Sequence, residues 1–366
     1  MSRPSDKPAT AGANATAGAN LATAEANATA GANPATAGGV AAHVTFAATF
    51  ARVERGALGA DEVRAAFEAI LAGAWTPVQI GAFAASLRLR GETAEAIVAA
   101  AEALRAVMTS VDHGLDEVVD TCGTGGDGAH TLNVSTGAAV VVAACGHHVA
   151  KHGNRSVSSR CGSADVIDAL GIPTDIAPAR QGAILREARI AFLMAPAHHP
   201  ALRHAAAARR ELGVRTIFNA LGPLVNPART THQLVGVYDD ALRPVAAAAL
   251  GRLGVRRAWV VRSEDGLDEV SPAAPTRVSV LDGGRVEERV VRPEDFGVAP
   301  LPLAALAGGD ARANADAIRA ILEGSPHPAT EAIVLNAAAA LVVARAVTPR
   351  AAAEEARDAI RSGRAR

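Results

Sequence analysis

The chain has 366 residues, and its 36 Lys plus Arg nearly balance 37 Asp plus Glu for a formal net charge of -1, so no bulk charge advertises nucleic acid or an anionic membrane. Hydrophobic residues reach 49% but aromatics only 3%, which predicts an aliphatic, alanine-laden, helix-rich core, and at roughly 100 to 200 residues per domain the length suggests two domains or one large domain with appendages. Runs of about 18 apolar residues are absent, as is a basic-then-apolar opening, which argues against a membrane span and a secretory signal.

The opening repeats the phrase Ala-Thr-Ala-Gly-Ala-Asn from Ala9, Ala15 and Ala28, with a shortened copy at Ala35. It has no aromatics and Leu21 is its only leucine. Such a segment cannot bury enough surface to offset the entropy of ordering, which predicts a disordered low-complexity tail over 1–42. The alternative, a solenoid of short repeats, lacks an apolar alternation to stack.

From 43 to about 113 the pattern is helical. Val63, Phe67, Ile70 and Leu71 fall at helix spacing, Thr76-Pro77 reads as an N-cap followed by proline, and Gly91-Glu92-Thr93 separates that helix from one carrying Ile97, Val98 and Leu104. Residues 117–120 then read as a short strand running into glycines. Beyond it, apolar runs at 139–144, 166–170, 258–261 and 278–281 alternate with helical stretches, and helices return over 311–322, 329–347 and 351–360. That alternation predicts an α/β fold with a mostly parallel central sheet flanked by helices.

The chemistry concentrates after the first strand. Residues 120–128 read Asp-Thr-Cys-Gly-Thr-Gly-Gly-Asp-Gly, a loop whose glycines let backbone N–H groups approach an anion closely, or an ordinary tight turn. It matches neither GxGxxG nor GxxxxGK[ST]. Asn133-Val134-Ser135-Thr136 precedes an apolar run, so Ser135 and Thr136 read as N-caps of a helix whose free amides and dipole also suit an anion. Residues 151–159 read Lys-His-Gly-Asn-Arg-Ser-Val-Ser-Ser, and Lys151 is one of only two lysines in the chain, the other being Lys7. In a sequence that uses arginine almost everywhere, this lysine marks a place that needs a compact point charge. Ser163 reads as a cap of the next helix or a further phosphate contact.

Asp268 and Glu269 sit together in a loop after the strand ending near Val261. Adjacent carboxylates there are either solvated acids or ligands for a hard cation such as Mg²⁺. Arg209 and Arg210 lie in a helix over 200–212, with Arg209 able to face inward and Arg210 solvated. His147, His148, His198 and His199 come as adjacent pairs without the spacing of a helical metal site. Cys122, Cys145 and Cys161 form no CxxC pair, which points to a reduced, cytoplasmic protein.

In order and spacing, these strings resemble the anthranilate phosphoribosyltransferase family. The matching pieces are Gly123-Thr-Gly-Gly-Asp127, Asn133-Val-Ser-Thr136, Lys151-His-Gly-Asn-Arg155 with Ser158-Ser159, Gly162-Ser-Ala-Asp165, Phe218-Asn-Ala-Leu-Gly-Pro-Leu-Val-Asn-Pro227 and Gly266-Leu-Asp-Glu269. The resemblance implies a nucleoside phosphorylase/phosphoribosyltransferase-like fold. Its parts would be a smaller discontinuous all-helical domain (43–113 plus 197–227) and a large α/β domain (114–196 plus 228–366), dimerising through the helical domain. It implies transfer of ribose 5-phosphate from phosphoribosyl pyrophosphate to the amine of anthranilate in tryptophan biosynthesis, with Mg²⁺.

By the same resemblance the phosphoribosyl pyrophosphate site is lined by Gly123, Gly126, Asp127, Thr131, Asn133, Val134, Ser135, Thr136, Lys151, His152, Gly153, Asn154, Arg155, Ser156, Val157, Ser158, Ser159 and Ser163. Anthranilate would meet Gly123, Asn154 and Arg209, and the metal Ser135, Asp268 and Glu269. Two other readings stand beside it. A pyrimidine nucleoside phosphorylase would carry a differently spelled glycine loop and would not need the paired acids. A silent relative binding nucleic acid would show a basic face and stacking aromatics, whereas no aromatic residue lies between Phe83 and Phe192.

Overall fold

The computed structural model describes residues 44–125, 128–155 and 161–366. The expected tail over 1–42 lies outside these residues, as do Gly126, Asp127, Ser156, Val157, Ser158 and Ser159.

Four helices open the described chain: α1 (Phe46–Glu54), α2 (Ala60–Leu71), α3 (Pro77–Arg90) and α4 (Ala94–Val107). Their boundaries follow local chemistry. The Thr76 hydroxyl accepts the Gln79 N–H at 3.4 Å while Gln79 Oε1 accepts the Thr76 N–H at 2.9 Å, a reciprocal cap with Pro77 as the first helical residue. Gly91 ends α3 at φ 86°, and the Thr93 hydroxyl caps α4. Val63, Phe67, Ile70 and Leu71 are all buried, as their spacing predicts.

The chain then alternates. In order come β1 (Val119–Gly123), α5 (Val134–Ala144), β2 (Val149–Gly153), α6 (Ser163–Ala169), α7 (Pro178–Ala188), β3 (Ile190–Met194), α8 (Ala195–His198), α9 (Arg203–Leu212) and α10 (Ile217–Leu221). After them come β4 (His232–Gly236), α11 (Leu242–Arg252), β5 (Arg257–Ser263), β6 (Thr276–Asp282), β7 (Arg285–Val291), α12 (Ala311–Leu322), α13 (Thr330–Arg345) and α14 (Pro349–Arg361). The expected first strand starts two residues late, at Val119, and runs on through Gly123. The apolar runs at 139–144 and 166–170 are helical, in α5 and α6 with Leu170 as the C-cap, whereas those at 258–261 and 278–281 are in β5 and β6. A short, wholly buried apolar run fits either element by periodicity, and it is the cap-type residues before 139–144 and 166–170 that mark those two as helices.

The seven strands of the described residues form one sheet in the order β3-β2-β1-β4-β5-β6-β7. The five from β3 to β5 are mutually parallel, and β6 and β7 add antiparallel at one edge. Alternate side chains feed two apolar layers, as the two-residue period of a strand requires. Leu234, Trp259 and Val261 pack with α5, α12, α13 and α14. Val235, Ala258 and Val260 pack with α11 in an apolar cluster that continues into α1 to α4, α9 and α10.

Helix α13 is buried continuously from Ala332 to Ala344, the pattern of a helix enclosed on all sides. It lies close to α5 because Gly137 has no side chain: a Cβ there would stand 2.5 Å from Ile333 Cδ1. Among the described residues no single helix is long and apolar enough to cross a membrane.

The strand order locates the cleft. From β1 the sheet grows outward through β2 and β3, then the chain returns to place β4 on the other side of β1. Ligands of open α/β sheets bind beyond the carboxyl ends of strands at such a reversal. Here Gly123, Gly153 and Gly236 are the last residues of β1, β2 and β4.

Candidate active site

The loop after β1 is held by its neighbours on the β4 side. Thr124 N–H donates to the Gly236 carbonyl at 2.8 Å, and the Thr124 hydroxyl accepts the Tyr238 N–H at 3.0 Å. Gly125, at φ 68°, donates its N–H to Asp268 Oδ2 at 2.9 Å. Gly123 lies so close to the same carboxylate that a Cβ would stand 2.6 Å from Asp268 Oδ2. The other acid reaches α5, where Glu269 Oε1 accepts the Ser135 N–H at 3.2 Å. The two carboxylates therefore bridge the glycine loop and the start of α5.

The start of α5 differs from expectation in its cap. Asn133 occupies the N-cap position, and Ser135 and Thr136 are the second and third helical residues. The Asn133 side chain does not close on the helix, because its Oδ1 accepts from Asn314 Nδ2 at 2.9 Å. This leaves the Ser135 hydroxyl to accept from Lys151 Nζ at 3.3 Å. Val134 and Thr136 are buried behind it, and Thr131 bridges to Ala307 at the edge of the loop.

Lys151, inside β2, is only 3% exposed. Its Nζ also donates to the Thr121 carbonyl. A buried ammonium needs compensation, and Asp120 supplies it from β1. That carboxylate is fully buried, accepts from Asn226 Nδ2 at 2.8 Å, from the Cys122 thiol at 3.1 Å and from the His152 N–H at 3.3 Å. Burial pushes its pKa up, and the Lys151 charge opposes that rise. Burial also pushes the Cys122 thiol well up, so this cysteine is held as the protonated, weakly nucleophilic form.

His152 is buried with Nδ1 donating to the Gly222 carbonyl at 3.1 Å, and burial holds its pKa down to about 3. Its ring centroid lies 5.2 Å from that of His199, which burial holds down to about 4. Both imidazoles are neutral at neutral pH.

Gly153 is packed against Phe192 and Ser163 with no room for a side chain. Arg155 pairs with Asp165 at 3.1 Å and Asp168 at 2.6 Å, anchoring the loop to α6. Ser163 is the first residue of α6 and not its cap. Gly162 takes the cap position, its N–H donates to Asp165 Oδ2 at 2.9 Å, and the Ser163 hydroxyl donates to the Asn154 carbonyl at 3.4 Å.

Arg209 is half-buried and Arg210 exposed, as their positions in the helix suggested. The Arg209 guanidinium lies 5.7 Å from the Phe218 ring centroid, and burial lowers its pKa. No carboxylate pairs with it among the described residues. From Phe218 the chain runs to Gly222, whose carbonyl holds His152, so Arg209 and Lys151 are linked through one short segment.

Sequence reasoning missed Asp120 and Asn226 as the frame around Lys151. The sequence signals were an acid at the end of the expected strand, opening the glycine string, and an asparagine inside the Phe218–Pro227 string. An open cavity of about 520 Å³ lies elsewhere, at the amino ends of β4 and β5, lined by Glu117, His232, Arg256, Arg257, Asp282 and Arg345. Its charges are largely spent internally, Arg257 on Asp282 at 3.6 Å and Arg345 on Glu355 at 2.6 Å. The glycine loop, α5, the buried lysine and the paired acids instead converge at the reversal of strand order.

Residues 115–366 match the family model described as glycosyl transferase family, a/b domain, and residues 51–108 match the glycosyl transferase family, helical bundle domain. The chain is 49% identical over 316 residues to anthranilate phosphoribosyltransferase of Myxococcus xanthus, covering 86% of this chain and 94% of that one. The structure is similar to the crystal structure of anthranilate phosphoribosyltransferase from Thermus thermophilus, with a TM-score of 0.82, 38% identity, and coverage of 87% of this chain and 95% of that one. It is also similar to the Saccharomyces cerevisiae enzyme in complex with PRPP and Mg, with a TM-score of 0.80, 27% identity, and coverage of 88% and 96%. The yeast protein has likewise been solved in complex with 4-fluoroanthranilate.

Proposed function

The chain belongs to the anthranilate phosphoribosyltransferase family, and from that membership we infer that it transfers the 5-phosphoribosyl group from phosphoribosyl pyrophosphate to the amine of anthranilate. The products are N-(5-phosphoribosyl)anthranilate and pyrophosphate, in tryptophan biosynthesis. The observation that carries the reading at the level of the site is Lys151, a buried ammonium at the strand-order reversal, touching Ser135 beside the glycine loop.

The chemistry suits these groups. An aromatic amine is neutral near pH 7 and attacks without prior deprotonation; the new C–N bond forms as the bond from the anomeric carbon to pyrophosphate breaks, and the nitrogen then loses a proton. The demanding part is departure of pyrophosphate from a carbon that acquires oxocarbenium character. Fixed donors aimed at the growing negative charge lower that barrier. In our reading those donors are Lys151 and the amides of the glycine loop and α5. No nucleophilic side chain takes part.

Phosphoribosyl pyrophosphate would lie along Gly123, Gly126, Asp127, Thr131, Asn133 to Thr136, the 151–159 loop and Ser163. For a divalent cation, Asp268, Glu269 and the Ser135 hydroxyl offer hard oxygen donors that already converge through Gly125 and Ser135. Mg²⁺ typically uses one or two carboxylates with phosphate oxygens and waters, so this donor set fits it. When bound, the ion would neutralise charge on the leaving pyrophosphate.

Arg209 would receive the anthranilate carboxylate, with Gly123 and Asn154 near the ring. The helical part formed by 43–113 and 197–227 would close over the large part, 114–196 plus 228–366. Val78 and Leu89, 81% and 87% exposed, share one face of α3 with Ala82 and Ala85. That unpartnered apolar stripe supports a homodimer through the helical part. Three free cysteines support a reducing, cytoplasmic setting.

The test is the decay of anthranilate fluorescence with phosphoribosyl pyrophosphate and Mg²⁺. Thymidine phosphorolysis with inorganic phosphate, and no decay, would assign the chain to phosphorylase chemistry.

A further inference from the structure

Val270 directly follows the acid pair, and both of its backbone groups are bound by one side chain. Its N–H donates to Asn336 Oδ1 at 2.9 Å, and its carbonyl accepts from Asn336 Nδ2 at 2.9 Å. Asn336 is 1% exposed and is the one polar residue in the buried run of α13 from Ala332 to Ala344. Its Nδ2 also donates to the Ala332 carbonyl at 3.0 Å, so its conformation is fixed by its own helix. A buried amide that satisfies a loop's main chain this fully leaves that loop one register.

The same helix supports the other side of the site. Ile333 is seated against Gly137 of α5, and Asn336 lies three residues further along α13, on the same face. Helix α5 presents Ser135, and the loop anchored by Asn336 presents Asp268 and Glu269. One rigid helix therefore sets the spacing between the hydroxyl and the two carboxylates.

We propose that Asn336 is the positioning residue for divalent-cation binding, fixing Asp268 and Glu269 relative to Ser135 through Val270. The proposal rests on the reading of those three residues as the cation's ligands. Partners that orient metal ligands typically change affinity about 10- to 100-fold when removed.

The experiment titrates Mn²⁺, followed by its electron paramagnetic resonance, into the full chain with phosphoribosyl pyrophosphate and without anthranilate, so nothing turns over. Asn336→Ala is expected to weaken Mn²⁺ by about 10-fold or more, and in assays its kcat should recover as Mg²⁺ is raised. Leu341→Ala, more than a turn away in the same buried helix, controls for lost packing and should leave Mn²⁺ affinity near wild type. Asn336→Ser keeps a hydroxyl for one Val270 group and should fall between; it is the variant to read if the alanine chain does not fold. Equal Mn²⁺ affinity in wild type and the Asn336 variants, or equal losses in Asn336→Ala and Leu341→Ala, overturns the proposal. The double variant Asp268→Asn, Glu269→Gln separates the premise: if it binds Mn²⁺ like wild type, the ligand assignment itself is wrong.

Discussion

Gly236 and Asp268 pack backbone against backbone, and any Cβ on Gly236 would overlap the Asp268 carbonyl. Neither side of that contact is a flexible side chain, so Gly236→Ala should shift the acid loop or open β4, lowering the melting temperature clearly. At Gly123 the obstruction is the Asp268 carboxylate, which can swing away. Gly123→Ala should therefore keep a near-native melting temperature yet lose at least about tenfold in turnover, because the carboxylate is displaced. Equal melting losses in the two variants would contradict this distinction.

Lys151 fits a space closed by the Thr121 carbonyl and the Ser135 hydroxyl. Lys151→Ala should reduce kcat by about 100-fold or more, the usual scale for removing one fixed donor from a developing anion. Lys151→Arg should recover little, since a planar fork replaces a point charge in a nearly sealed position. Near-normal turnover in the arginine variant would show that charge alone suffices.

Arg209 lies over Phe218 with no carboxylate partner among the described residues, so its donors remain available to an incoming carboxylate. A charge-assisted contact of that kind contributes roughly 1.5 to 3 kcal/mol. Arg209→Ala should thus raise the Kd for anthranilate by about one to two orders of magnitude, with a much smaller change for phosphoribosyl pyrophosphate. Equal weakening of both substrates would mean that Arg209 shapes the cleft and does not bind the acceptor.

His152 and His199 are held down to about 3 and about 4 by burial, below the ordinary value near 6.5. The unfolded chain therefore takes up protons on them first as pH falls. Their contribution to stability is complete above about pH 6.5 and is lost progressively toward pH 4 and then 3, at up to about 1.4 kcal/mol per pH unit for each. Urea midpoints measured from pH 7.5 to 5 should fall with pH, and less steeply in His152→Gln with His199→Gln. A wild-type midpoint that is flat across this range would refute the assignment.

Much of the helical architecture was legible because its signals are local. Thr76-Pro77, Gly91 and Thr93 mark boundaries within a few residues of where they act, and α12 begins and ends where its pattern predicts. Strands β2 and β4 escaped notice because Lys151-His152 and His232-Gln233 interrupt what a buried parallel strand should look like. Those polar residues are tolerated only through tertiary partners. Edge strand β7 is almost entirely exposed, so no buried alternation marks it in the sequence.

The site shows the same division. Motif strings name the glycine loop, Lys151 and the acid pair, but the residues that hold them do not announce themselves. Asn226 meets Asp120 across 106 positions and Asn336 meets Val270 across 66. Asn226 stands in the Phe218–Pro227 string and Asn336 interrupts an otherwise apolar run, but neither position reveals its distant partner. The Asn133 cap was overlooked for a related reason: its side chain is committed to Asn314, and the neighbouring Ser-Thr pair looked the better cap.

The burial of Lys151 also makes the chain its own reporter of opening. The sequence contains one other lysine, Lys7, so a lysine-specific protease has a single target among the described residues, and that target is 3% exposed. Cleavage after residue 151 can proceed only when β2 detaches from its neighbours, and its rate then counts excursions of the sheet's centre. No label or engineered residue is required, and slower cutting with phosphoribosyl pyrophosphate present would measure how tightly that ligand fastens the strand.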